Sequence, residues 1–252
     1  MAIITDAVPI LFPVLYFLAR DFWGRTQRAS YVTTIGYIFL IIWSLITYVN
    51  EYREGDYGNV LIITVVLIFT LYLLTFRRNL LLYGYVPLTI SIMVLIYFLL
   101  KIVDDLTHML TYTTAVLTYK MLKLTLGETI GFKVHNSEIF IEGIRNSYYF
   151  TFACTGFQSI AIITAPMIAT QDKSCIRNAT YVAALIYILN VIRGFLIVFF
   201  VERLEWDYYI VHTVIMKIFS IIALIAIFYY VLVTCKALAM EFTRISRIIF
   251  RS

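Results

Sequence analysis

Charge is what this sequence has least of. Of its 252 residues only 14% are Asp, Glu, Lys or Arg, against about 25% in soluble domains. Hydrophobic residues make up 62% and the mean hydropathy is +0.89, so too few charges exist to coat a water-soluble surface. Proline and glycine are also scarce, at four and ten. With no Pro/Gly/Ser-rich linker and no repeat, residues 1–252 read as one membrane domain. The three cysteines and three histidines are scattered. No CxxC, HExxH, Walker or GxGxxG pattern occurs, so neither a metal site nor a cofactor is expected. Nucleic-acid motifs are absent as well, and the net charge of +5 points to anionic lipid headgroups instead.

Present in abundance are hydrophobic runs close to the ~20 residues that cross a bilayer. They fall at about 2–19, 31–49, 59–76, 80–100, 148–170, 179–200 and 208–235. The first, interrupted by Asp6, Pro9 and Pro13, lacks the basic start and small-residue cleavage site of a signal peptide. The expected fold class is therefore all-α: a polytopic membrane helix bundle.

Lys and Arg set the expected orientation. Arg20, Arg25, Arg28, Arg77, Arg78, Lys173, Arg177, Lys236, Arg244, Arg247 and Arg251 share one side, with only Asp21, Asp172 and Glu241 for company. By the positive-inside rule this side is cytoplasmic, with the N-terminus outside and the C-terminus inside. Cys175 and Cys235 then lie on the cytoplasmic side, out of reach of Cys154, and no disulfide framework is expected.

Residues 101–147 form the one long stretch that is not a clean span. Leu106, Met109, Leu110, Thr113, Leu117, Met121 and Leu124 recur at helical spacing, while Thr111, Thr118 and Lys120 interrupt the rest of the circumference. This predicts an amphipathic helix on the outer surface. The alternating runs and turn residues of 127–149 predict a small hairpin after it. The bundle thus carries a small extracytoplasmic helix and hairpin insertion at about 101–147.

Three polar residues fall at one depth near the outer face: Cys154 at the start of the fifth run, Arg193 seven residues short of Phe200, and His212 four residues into the last run. A cysteine beside a histidine is a nucleophile with a base for its proton, and an arginine can stabilise a thiolate or an oxyanion. Each also has a plainer reading. Cys154 alone is equally a small packing residue, and His212, beside Tyr208 and Tyr209, is equally an interface residue. Arginine within a span is a functional hypothesis by default. Asn190 shares its helix face, and Gly194 permits close approach of a neighbour. Asp207 or Glu205 is placed to orient His212. Lys217, deeper in the last run, receives no chemistry.

The ACTG of Ala153 to Gly156, the NVIR of Asn190 to Arg193, and His212 at the head of the last run resemble the archaeosortase/exosortase family of multispanning membrane transpeptidases. The resemblance covers residues 127–235. It implies a membrane cysteine transpeptidase that cleaves C-terminal sorting signals of exported proteins and passes the new C-terminus to a lipid or other amine acceptor through a Cys thioacyl intermediate. Cys154 would be the nucleophile, Arg193 the stabilising cation and His212 the base, facing the outside of the cell membrane. Archaeal members often carry arginine at the third position. Gly156 would leave room for the substrate peptide, with Gln158, Asn190, Thr155 and Ser159 as hydrogen-bonding groups around it. Exported proteins and membrane lipids are the implied partners. A transporter would also bury Arg193 and Lys217, and a non-catalytic assembly protein would need none of the three polar residues.

Overall fold

The computed structural model describes residues 8–24, 26–54, 57–76, 84–135 and 138–250. Asp6, Arg25, Arg77, Arg78, Arg251 and the opening of the expected 80–100 run lie outside them. The protein is an all-α membrane bundle with one small sheet. Helices α1 (Leu11–Trp23), α2 (Gln27–Glu54), α3 (Tyr57–Phe76), α4 (Tyr85–Ile102) and α5 (Asp104–Leu126) precede strands β1 (Gly131–His135), β2 (Glu138–Glu142) and β3 (Ser147–Phe150). A 3-10 turn, Phe152–Thr155, leads to α6 (Phe157–Ala169) and α7 (Lys173–Arg203). The span Tyr208–Thr234, here α8, and α9 (Lys236–Phe250) complete the chain.

Contacts gather the residues into two compact units, one of Met1–Ile102, Ile168–Gln171 and Ala237–Ser252, the other of Val103–Met167 and Asp172–Lys236. In the first, Phe12 and Tyr37 are fully buried with ring centroids 4.7 Å apart. Gly36 makes this possible, because a Cβ there would sit 3.0 Å from the Phe12 ring. Trp43 and Phe98 meet edge to face at 5.0 Å and tie α2 to α4.

Among the described residues, Gln27–Asn50, Lys173–Arg203 and Tyr208–Thr234 are long and apolar enough to cross a membrane by themselves. Of the expected run at 2–19, residues 2–7 lie outside the described residues, and the remainder is a 3-10 turn followed by α1. One expected span is shorter than the hydropathy suggested. The run at 148–170 opens as strand and turn, and only the 13 residues of α6 are α-helical. Such a helix is ~20 Å long, short of the ~30 Å hydrocarbon core. The cause is Gly156, whose φ of 76° breaks the helix between Thr155 and Phe157.

In the second unit α5 forms as expected. Its face packed on protein is Thr111, Thr114, Ala115, Thr118 and Leu122. Met109 and Leu124, on the apolar stripe, are exposed, Leu124 by 87%. Small side chains permit close packing on α7, where a Cβ at Gly194 would lie 3.3 Å from Thr118 Oγ1. Thr111 and Thr114 donate to the carbonyls of Thr107 and Leu110, both at 2.8 Å, which satisfies their hydroxyls without water. Apolar side chains outward and small ones toward the neighbouring helix is the packing pattern common among helices in lipid.

The hairpin is in fact a three-stranded antiparallel sheet in the order β1-β2-β3, with Ile141 opposite Tyr148 and Ile139 opposite Phe150. Alternation turns Ile139, Ile141, Tyr148 and Phe150 into one core with Ile197, Val198 and Val201 of α7 and Val211 and Met216 of α8.

A correction concerns the cysteines. Cys175, at the start of α7, and Cys235, just past α8, form a disulfide with Cα atoms 5.3 Å apart, both side chains buried. The bridge closes a loop of 60 residues. Chain entropy puts its contribution at no more than about 4 kcal/mol, an upper bound because helices persist in an unfolded membrane chain. Cys175→Ser or Cys235→Ser should therefore lower the melting temperature in detergent by several degrees, to the value of the reduced wild type. An unchanged melting temperature would contradict the bridge.

Candidate functional site

At one end of the second unit, α7 and α8 meet the sheet and the turn that carries Cys154. Glu202, in the last turn of α7, is 7% exposed. Its carboxylate accepts the backbone N–H groups of Ile144 (2.8 Å), Arg145 (3.1 Å) and Asn146 (3.3 Å), and the Tyr148 hydroxyl at 2.7 Å. Three successive amides converging on one carboxylate make an anion nest, and the four donors offset the cost of burying the charge. A Cβ at Gly143 would overlap that carboxylate. Burial, and then the hydrogen bond to Glu202, hold the Tyr148 phenol above its ordinary value, so it remains a donor.

β3 therefore ends at a fixed place, and two residues later the chain turns. Cys154 N donates to Thr151 O at 2.9 Å, and buried Thr155 donates to Phe152 O at 2.6 Å. The half-buried Cys154 is a free thiol with Thr151 Oγ1 at 3.7 Å. Its carbonyl accepts the Asn190 side-chain amide of α7. Three residues further along α7, the Arg193 guanidinium lies within electrostatic range of both Cys154 and Tyr208, and Tyr208 within that of Cys154. Arg193 Nε is buried and has no hydrogen-bond partner among the described residues.

His212 lies in a π-helical turn, Val211–Ile215, at the head of α8. Its ring stacks on that of Tyr208 with centroids 5.4 Å apart and planes 17° from parallel. π-turns inside helices often mark functional positions, and nothing in the hydropathy signals this one. Asp207 caps α8 by accepting Ile210 N at 3.0 Å, and Glu205 pairs with Arg145.

A shallow groove with a cavity volume of about 70 Å³ runs from Gly156, Asn190 and Arg193 past Ser159 and Ser220 to Ile227. Asn190 and Gly156 thus line it, as does Ser159, whereas Gln158 is exposed and outside it. The expected space at Gly156 is already filled, since a Cβ there would be 2.9 Å from Asn190 Cβ and Cγ.

A family model described as transmembrane exosortase matches residues 5–234. The chain belongs to the transmembrane exosortase family. The match reaches well beyond the 127–235 that the motifs suggested and includes the N-terminal helices. No curated protein and no solved structure matches the chain. Within this exosortase-family chain, Cys154, Asn190 and Arg193 come together across α7, and Tyr208 links them to His212. Sequence reasoning missed Glu202, a lone acid at the end of a span, although the turn-forming EGIRN of Glu142 to Asn146 was a signal that something must hold those amides.

Gly156 is constrained twice, by its positive φ and by Asn190. Gly156→Ala should cost about 1–2 kcal/mol from the left-handed backbone alone and more from displacing Asn190. A lowered melting temperature together with reduced alkylation control at Cys154 checks this; wild-type stability would mean that the turn is free to relax.

Proposed function

We propose that the protein is a membrane cysteine transpeptidase that cleaves the C-terminal sorting signal of exported proteins and transfers the new C-terminus to an acceptor amine. The observation that carries this reading is the buried, unpartnered Nε of Arg193 in a groove beside a free cysteine. An unsatisfied guanidinium donor is costly in isolation and is satisfied when a substrate oxygen arrives.

His212 takes the proton from Cys154, and the thiolate adds to the carbonyl carbon of the scissile peptide bond. Arg193 stabilises the oxyanion that forms. As the tetrahedral species collapses, the C–N bond breaks, and the departing amine receives the proton held by His212. The acyl group now rides on Cys154 Sγ as a thioester. The acceptor amine gives a proton to His212 and attacks that thioester, which releases the joined product and returns the thiol. Asn190 holds the Cys154 turn through its carbonyl, so Sγ is presented in one direction. Ile186, Leu189, Leu224 and Ile227 give the groove an apolar floor, along which an apolar part of the substrate would lie. In this reading the site opens to the outside of the cell membrane.

Cys154→Ala should abolish processing of a co-expressed substrate while the protein accumulates normally. Arg193→Lys keeps the charge but loses the fork of fixed donors, and should lower processing by about 10²- to 10³-fold. Wild-type processing by Cys154→Ala would end the covalent mechanism. Wild-type processing by Arg193→Lys would remove the directional role given to arginine.

A further inference from the structure

Tyr208 belongs to no motif that points to the family, and its aromatic ring reads first as part of an interfacial belt. The structure places it differently. Its ring stacks on His212 at 5.4 Å and 17°, and its other neighbour is Tyr148, whose ring centroid lies 5.9 Å away at 56°. Tyr148 is pinned by the 2.7 Å hydrogen bond to buried Glu202. Tyr208 also lies within electrostatic range of Cys154 and Arg193. Its ring is thus stacked on His212 on the site side and backed by Tyr148 of the sheet.

The place of Tyr208 on the helix sharpens this. It opens the first turn of α8, fixed by the Asp207 cap, and His212 follows four residues later inside the π-turn. A π-turn interrupts the regular helix ladder and often marks a functional position. The parallel Tyr208 ring covers one face of the imidazole there. We propose that Tyr208 is a positioning residue: its ring holds the His212 imidazole toward Cys154, and Tyr148 and Glu202 hold Tyr208. This rests on the reading of His212 as the base. The ring does the work, so phenylalanine suffices and an aliphatic residue does not.

The test uses the full-length protein in membranes with the Cys175–Cys235 disulfide intact, so that Cys154 is the free thiol. Tyr208→Phe, Tyr208→Leu, Tyr208→Met and His212→Ala are compared by the rate of Cys154 alkylation with iodoacetamide at neutral pH and by substrate processing. Melting temperature and the disulfide serve as controls of folding. The expected result is that Tyr208→Phe stays within about twofold of wild type, while Tyr208→Leu and Tyr208→Met lose about 10- to 100-fold in both readouts, the scale of a displaced catalytic group. Rescue by phenylalanine separates ring support from a hydroxyl function and from general loss of structure. The proposal is overturned if the aliphatic variants behave as wild type, or if Tyr208→Phe is as defective as they are. Wild-type behaviour of His212→Ala would instead overturn the base assignment, and the positioning role with it; loss in His212→Ala beside active aliphatic variants would refute the positioning role alone.

Discussion

The contact on which the site depends is the Glu202 carboxylate in its nest of backbone amides. The helix that carries Glu202 also carries Asn190 and Arg193, nine to twelve residues earlier. At 31 residues, α7 is ~47 Å long, about 15 Å more than the hydrocarbon core requires. Its last turn therefore has length to spare for gripping the β2–β3 turn. With that turn fixed, β3 enters the Cys154 turn from a set position, and the Asn190 amide donates to the Cys154 carbonyl. One rigid helix thus sets the distance between the two ends of a short segment, and the thiol sits on that segment. The exposed Arg145–Glu205 pair beside it adds little by comparison, because surface ion pairs contribute about 0–1 kcal/mol.

The same helix explains why the chemistry sits where it does. Arg193 is costly in a membrane and is tolerated because it borders an open groove instead of lipid. Gly194, its neighbour, lets the threonine face of α5 pack close, so α7 is held along its length by small residues on one side and by the sheet at its end. The Cys175–Cys235 disulfide fastens the opposite end of α7 to α8. The two helices that bear Arg193 and His212 are thereby joined covalently at one end, and through the shared hydrophobic core at the other.

Much of this was legible in the sequence, and the rest was hidden for physical reasons. Hydropathy located α2, α7 and α8, because a long apolar helix has no alternative reading. The common depth of Cys154 and Arg193 foretold their meeting, since residues at one level on neighbouring helices have few other places to go. Hydropathy marked the apolar stripe of α5 but not its threonine face, because small residues that pack closely on a neighbouring helix leave no hydropathy signal. It extended the fifth span too far because Tyr148 and Phe150 are as apolar in a strand as in a helix. The disulfide was missed although Cys175 and Cys235 were placed at the same face, because that face was assigned to the cytoplasm, where thiols generally stay reduced. At Gly156 the sequence could show the small residue but not its neighbour: it lines the groove, and a Cβ there would meet Asn190.

The central claim is that Cys154 carries the acyl group between cleavage and transfer. The most direct measurement is capture of that species by intact-mass and peptide mass spectrometry of the purified protein with a substrate whose acceptor is withheld. The account predicts a substrate fragment bound to the Cys154 peptide, released as a hydroxamate by neutral hydroxylamine and absent from Cys154→Ala. Turnover of the substrate with no adduct on Cys154, or an adduct on another residue, would contradict it.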